Sequence, residues 1–169
     1  GQNSINVTPY VNEGSTVKLT IGNLIRNASN RSGVNFNGFT QNNAGNGVST
    51  LGGQGLSQNG NIIINQLNGT AFSASNLVNN LIGGWAVADG STFATYVNGF
   101  GVSVMGQTTQ GIAAPNFTGT DLSAALASTG NYSDGTSRTL TTGNKTANSI
   151  RFAGAGGAQT ITPVSGTTY

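Results

Sequence analysis

Nucleophilic catalysis by a serine or cysteine needs a base beside it, and this chain has no histidine and no cysteine. Its ionisable side chains are six basic groups (Lys18, Arg26, Arg31, Arg138, Lys145, Arg151) and four acids (Glu13, Asp89, Asp121, Asp134). A Ser-His-Asp arrangement is therefore impossible, and a Ser/Lys variant would have to recruit one of two lysines, neither in a recognised motif. Glycoside hydrolysis asks for two carboxyl groups about 5–9 Å apart. Here the acids are far apart in sequence, and Asp89 and Asp134 each precede a glycine, which suits a turn better than an acid–base pair.

Other chemistry fares no better. A calcium solenoid turn reads Gly-Gly-x-Gly-x-Asp. Gly52-Gly53-Gln54-Gly55 comes close, but Ser57 stands where the aspartate would be, so a plain turn is the reading. Without cysteine there is neither a disulfide scaffold nor a thiolate metal site. Trp85, Phe93, Tyr96 and Phe100 form either a sugar-stacking platform or part of a thin core, and the core is the expectation. The basic residues are scattered, so no cluster is present to displace counterions from nucleic acid. Seven Asn-x-Ser/Thr sequons, at Asn6, Asn27, Asn30, Asn68, Asn116, Asn131 and Asn144, are close to what this composition produces by chance. The reading is a non-enzymatic chain with no catalytic, cofactor-binding or metal-binding residue, and with surface glycans as a secondary candidate partner.

The elements that remain are dictated by composition. Gly, Asn, Ser and Thr make up just over half of the 169 residues. The small charge count denies soluble helices their polar face, while β-branched residues are common, so ordered β-structure is expected in place of disorder. No apolar stretch approaches the ~18 residues of a membrane span. Asn-Gly at positions 37, 46, 59, 68 and 98 and Asp-Gly at 89 and 134 punctuate the chain with pairs that tolerate positive φ. Between them lie short strands. Val17-Lys18-Leu19-Thr20-Ile21, Val34-Asn35-Phe36 and Ile150-Arg151-Phe152 alternate, predicting Val34, Phe36, Ile150 and Phe152 inward with Asn35 and Arg151 outward. Ile62-Ile63-Ile64 reads as a strand buried on both faces. Residues 120–126 allow at most one or two helical turns, capped by Thr120 or Asp121.

Asn23-Leu24-Ile25-Arg26 and Asn148-Ser149-Ile150-Arg151 share an Asn-x-Ile-Arg core, a faint internal repeat. Uncharged Asn and Thr can stack as hydrogen-bonded ladders, whereas like charges repel. That favours an all-β, parallel β-helix spanning residues 1–169 over the alternative, a β-sandwich or jelly roll. At about 20–25 residues per rung the chain would make about seven or eight rungs, with Trp85 buried between coils.

Three stretches resemble the autotransporter-associated β-strand repeat proteins, which are long bacterial surface and secreted chains. In residues 14–36 a strand leads to Arg26, a small-residue turn and Gly33-Val34-Asn35-Phe36. Ile82-Gly83-Gly84-Trp85-Ala86, followed by Phe93-Ala94, is the most specific. Ala147-Asn148-Ser149-Ile150-Arg151-Phe152 is the third, and the likeness covers most of residues 14–165. The resemblance implies a right-handed parallel β-helix outside the cell or on its surface, and no active site. It also implies more rungs, so the chain is expected to be part of a longer chain or a stacked filament, partnered by flanking chain or by copies of itself. A pilus or tail-fibre subunit built by strand donation is the alternative, donating Ile5-Asn6-Val7-Thr8 or Thr160-Ile161-Thr162. A carbohydrate-binding β-helix is a further alternative.

Overall fold

The computed structural model describes residues 2–7, 16–27, 29, 32–38, 59–107, 113–140, 145–154 and 159–163. Among these residues the chain is all-β: there is no α-helix, and the one helical segment is a 3-10 turn at Ala74–Asn76. Two compact units follow one another, Gly1–Asn116 and Phe117–Tyr169.

In the first unit, β1 (Gln2–Val7), β3 (Gly33–Gly38) and β7 (Ala86–Ala88) run parallel and side by side. A second parallel pair joins β2 (Thr16–Ile21) to β4 (Asn59–Ile64). It is extended at the same offset by a bridge from Leu24 to Leu67. Strands next to each other in sequence therefore lie in different sheets, and the chain returns to each sheet one strand later. The pattern then changes. β8 (Thr92–Val97) pairs antiparallel with β7, and β9 (Gly101–Val104) antiparallel with β8, completing a five-stranded sheet in the order β1-β3-β7-β8-β9. A small hairpin, β5 (Gln66–Leu67) with β6 (Thr70–Ala71), hangs beyond β4.

The Asn-Gly and Asp-Gly pairs divide by role. Asn68-Gly69 and Asp89-Gly90 have both residues at positive φ and close hairpins, as does the loop holding Gly99 at φ 85. Asn37-Gly38 and Asn59-Gly60 instead lie inside β3 and β4. Asn46-Gly47 falls outside the described residues.

In-register parallel pairing stacks like face on like face. Ile5, Phe36 and Ala88 form one column across three strands, and Ile62 and Ile64 carry Leu19 and Ile21. Phe36, Ile62, Ala86, Ala88, Ala94 and Val102 are fully buried. The large Phe36 ring between the small Ala88 and a half-buried Ile5 shows how a thin core is filled. Val34 and Phe36 point inward around a half-buried Asn35, as the alternation predicts. Ile63 is only half-buried, so β4 is not buried on both faces. Amide–amide bonds form among the described residues: Asn37 Nδ2 donates to Asn6 Oδ1 of its register partner at 2.7 Å, and Asn148 Nδ2 to Asn131 Oδ1 at 2.8 Å.

The second unit repeats the skipping order on a smaller scale. β10 (Asn131–Asp134) pairs parallel with β12 (Ser149–Phe152), and β11 (Arg138–Leu140) with β13 (Ile161–Pro163). Leu122, Tyr132 and Leu140 form its core, backed by Leu126, Ala147 and Ile161. Residues 120–126 contain no helix; Asp121 Oδ1 accepts the Ser123 N–H at 2.8 Å, closing a turn on the aspartate in place of a helix cap.

Strand returns are unequal. Gln2 pairs with Gly33, Thr16 with Asn59, Val34 with Ala86, and Asn131 with Ser149. The uniform rung of about 20–25 residues is therefore corrected: the first three returns are longer, and both Asn131 to Ser149 and the parallel bridge from Gly119 to Tyr132 are shorter.

Candidate functional site

Three features could carry function. The first is a buried carboxylate. Asp134 ends β10 with no exposed surface. Its Oδ2 accepts from Arg138 Nε at 2.9 Å and from the Leu122 N–H at 3.0 Å, and its Oδ1 from the Thr136 N–H at 2.9 Å. Burial alone would raise its pKa, but the hydrogen bonds from Arg138, Leu122 and Thr136 outweigh it and hold the group down to about 2. Arg138 also reaches Asp121 at 3.5 Å, and the Ser123 hydroxyl and N–H lower the pKa of Asp121. With three donors on its two oxygens, Asp134 is built to remain an anion that ties β10 to β11 and the Leu122 turn. A general acid needs the opposite, a raised pKa.

The second feature is an apolar hollow of about 320 Å³ in the second unit. Leu122, Leu126, Leu140 and Ile161 line it together with Ile150 and Phe152. Sequence alternation placed Ile150 and Phe152 inward. They do share one face, stacked on Tyr132 and Asp134, while Arg151 lies on the other. The burial is corrected: Ile150 is 41% exposed and Phe152 55% exposed, because β12 has β10 on one side and no described strand on the other. In the first unit β2 behaves alike, with Val17 36% and Leu19 38% exposed on the column above Gly60 and Ile62. Periodicity told which face was apolar and could not tell whether anything covers it.

The third is a groove of about 290 Å³ beside Trp85. The Trp85 carbonyl accepts the Val34 N–H at 2.9 Å, which fixes its backbone to β3, while the indole packs back over Gly83, where a Cβ would collide with it. The Arg26 guanidinium lies over the ring, 5.4 Å from its centroid. Trp85 is half-buried against the core and is not sealed between coils, so that expectation is corrected too.

No family model, no curated protein and no solved structure matches this chain.

The remaining expectations are placed by the strands themselves. The four aromatics do not form a platform. Tyr96 is buried, edge-on to Phe72 at 5.1 Å, with its hydroxyl on the Ile64 backbone. Phe93 lies on the opposite face of β8 by alternation, and Phe100 in the following loop. Asp89 sits in the exposed β7–β8 turn and Asp134 in the second unit's core. Among the described residues no three His, Cys, Asp or Glu side chains cluster. The calcium-like turn at residues 51–57 and Glu13 lie outside the described residues. Both strands considered for donation are already paired within the chain, β1 with β3 and β13 with β11.

Sequence reasoning missed the stacking of Arg26 on Trp85, although a signal was present. In the other copy of the Asn-x-Ile-Arg repeat, Arg151 stacks on Phe117 at 6.0 Å. Both arginines of the repeat cover an aromatic ring.

Proposed function

We propose that this chain is a non-enzymatic structural module of an extracellular or cell-surface fibre, built by stacking coils as a right-handed parallel β-helix. The observation that carries the reading is the skipping order of parallel pairs, β1–β3 with β2–β4 and β10–β12 with β11–β13. Parallel neighbours need a crossover, and a chain that alternates sheets on successive strands supplies one without helices. In such a stack each coil pairs with the next, and growth runs along the stack. The motif likeness to autotransporter-associated repeats supports the extracellular setting.

The apolar columns that stop short at Leu19 and at Ile150 and Phe152 are the faces on which a further rung sits, supplied by flanking chain or by another copy. Burying one large apolar side chain is worth about 1.5–3 kcal/mol, so two or three such residues give a modest but real drive. Few charges oppose it: β2 contributes Lys18 and β12 contributes Arg151. The absence of histidine and cysteine and the locked state of Asp134 support the non-enzymatic part.

The test is light scattering of the purified chain over a concentration series, with Leu19→Asp and Phe152→Asp beside it. Mass is expected to grow with concentration for the unaltered chain, and either aspartate is expected to suppress growth. Fibre diffraction of any assembly is expected to show strands perpendicular to the long axis, spaced about 4.8 Å apart along it. A stable monomer at every concentration, or strands parallel to the fibre axis, overturns the reading.

A further inference from the structure

We propose that the groove beside Trp85 binds a carboxylate-bearing sugar, with Arg26 as the anion contact. Three segments meet there: Asn3 and Ile5 of β1, Arg26 and Asn27 after β2, and Ser32 at the entry to β3. Arg26 is held from both ends. Its backbone N–H donates to Asn68 Oδ1 at 2.7 Å, and its guanidinium rests on the indole. A planar cation fixed in this way has lost much of its rotamer freedom before any ligand arrives.

Its Nε donor is not used by any described residue. Arg26 Nε is buried and has no hydrogen-bond partner. Three other cations show what satisfaction looks like in this chain. Arg138 pairs with Asp134, Arg151 reaches Ser133 Oγ at 3.3 Å, and Lys145 Nζ donates to the Ser123 and Ala124 carbonyls. A buried N–H without a partner is costly, and an unexplained one calls for a bound water, ion or ligand. Among the described residues no acidic side chain lines the groove to compete for the guanidinium. A carboxylate matches its fork and gains a charge-assisted bond.

The rest of the lining identifies the body that carries the carboxylate. Asn3, Asn27 and Ser32 offer amides and a hydroxyl, with Ile5 and Val34 as apolar neighbours. Asn27 Oδ1 already accepts the Ser29 N–H at 2.9 Å, so its amide nitrogen is the end presented for donation. Polar groups set around a small apolar floor suit a hydroxylated ring. The volume lies at the lower end of ligand sites, about 300–1,000 Å³, and holds one sugar unit. Arg26 already covers the indole face, so the sugar meets the guanidinium edge and does not stack on the ring.

Trp85 is the sole tryptophan of the chain, so its fluorescence reports on this groove. The chain is titrated with glucuronate, glucose and acetate while Trp85 emission and the amide shifts of Arg26 and Gly33 are followed. Glucuronate is expected to give a saturable response near millimolar, with glucose silent and acetate at least about tenfold weaker. Arg26→Gln is expected to weaken glucuronate binding about tenfold or more. Should that variant unfold by circular dichroism, Asn27→Asp at an exposed position serves instead, placing a rival carboxylate beside Arg26 and blocking binding. An equal response to glucose removes the role of charge, and an equal response to acetate reduces the groove to a plain anion site. No response to any of the three overturns the proposal, as does unchanged binding in a folded variant. The stacking reading is untouched by all these results, since light scattering decides it separately.

Discussion

Replacing Asp134 by Asn tests whether the second unit is held by a charge. The carboxylate is fully buried and takes three donors, from Arg138, Leu122 and Thr136. Its pKa, against an ordinary 3.8, is held near 2. Each pKa unit corresponds to about 1.4 kcal/mol, so the preference for the ionised form contributes about 2–3 kcal/mol at most, and somewhat less because Arg138 is partly solvated. The folded pKa is depressed, so this stability is fully present above pH 3.8 and is lost as the pH falls toward 2. Asparagine keeps the shape but turns one acceptor into a donor, which then faces a backbone N–H in a site closed to water. The expected cost at neutral pH is about 2–4 kcal/mol. Urea unfolding followed by circular dichroism at pH 7, 4 and 2.5 measures it, and amide exchange at Leu122 and Thr136 localises it. The gap between the two proteins is expected to be widest at pH 7 and to narrow between pH 4 and 2. A variant as stable as the unaltered chain at pH 7 would refute the reasoning, as would a gap that stays constant down to pH 2.5.

Tyr96 is expected to ionise above the ordinary phenol value of 10, because burial disfavours its phenolate and the bond to Ile64 offsets only part of that. The neutral form is the stabilised one, so this contribution is present below pH 10 and lost as the pH rises through the folded value; ultraviolet titration should show a late tyrosine step that Tyr96→Phe removes. Gly101 has φ 92, and a Cβ there would collide with the Ile62 carbonyl, so Gly101→Ala is expected to cost more than 1 kcal/mol in urea unfolding, and an unchanged midpoint would contradict the close approach of β9 to β4. Phe36→Ala empties the middle of a three-strand column and is expected to cost about 3–5 kcal/mol, whereas Val17→Ala on the uncovered face of β2 should cost under about 1 kcal/mol in an unassembled chain.

Alternation was legible because it is local. A period of two assigns neighbours to opposite faces whatever the rest of the chain does, and Val34, Asn35 and Phe36 follow it. Burial was not legible, because it depends on a strand that local sequence does not name. Phe36 and Phe152 sit in similar local patterns, yet one is sealed between β1 and β7 and the other is open. The turn pairs failed for a related reason. Asn-Gly permits positive φ without requiring it: at Asn59 the pairing to Thr16 holds the chain extended, while at Asn68, whose N–H meets the Leu24 carbonyl at 2.9 Å, the chain turns and the hairpin closes. Unequal strand returns were hidden as well. The intervals between turn pairs measure local punctuation, not the distance to the strand that will be met on the next pass.

The duplicated arginines carry this argument furthest. Asn23-Leu24-Ile25-Arg26 and Asn148-Ser149-Ile150-Arg151 set the same short lead before a guanidinium, and in both places that guanidinium covers an aromatic ring. What separates them lies outside the motif. Arg151 finds Ser133 on the register-paired strand β10. Arg26 finds only the groove, leaving its buried Nε without a partner. A repeated motif repeats the placement of a side chain but not the neighbour it meets there. A site arises where a repeated charge is delivered to a place that does not satisfy it. In a chain with so few charges, the one described guanidinium left with a buried, unpartnered N–H is therefore a better marker of binding than the aromatic residues around it.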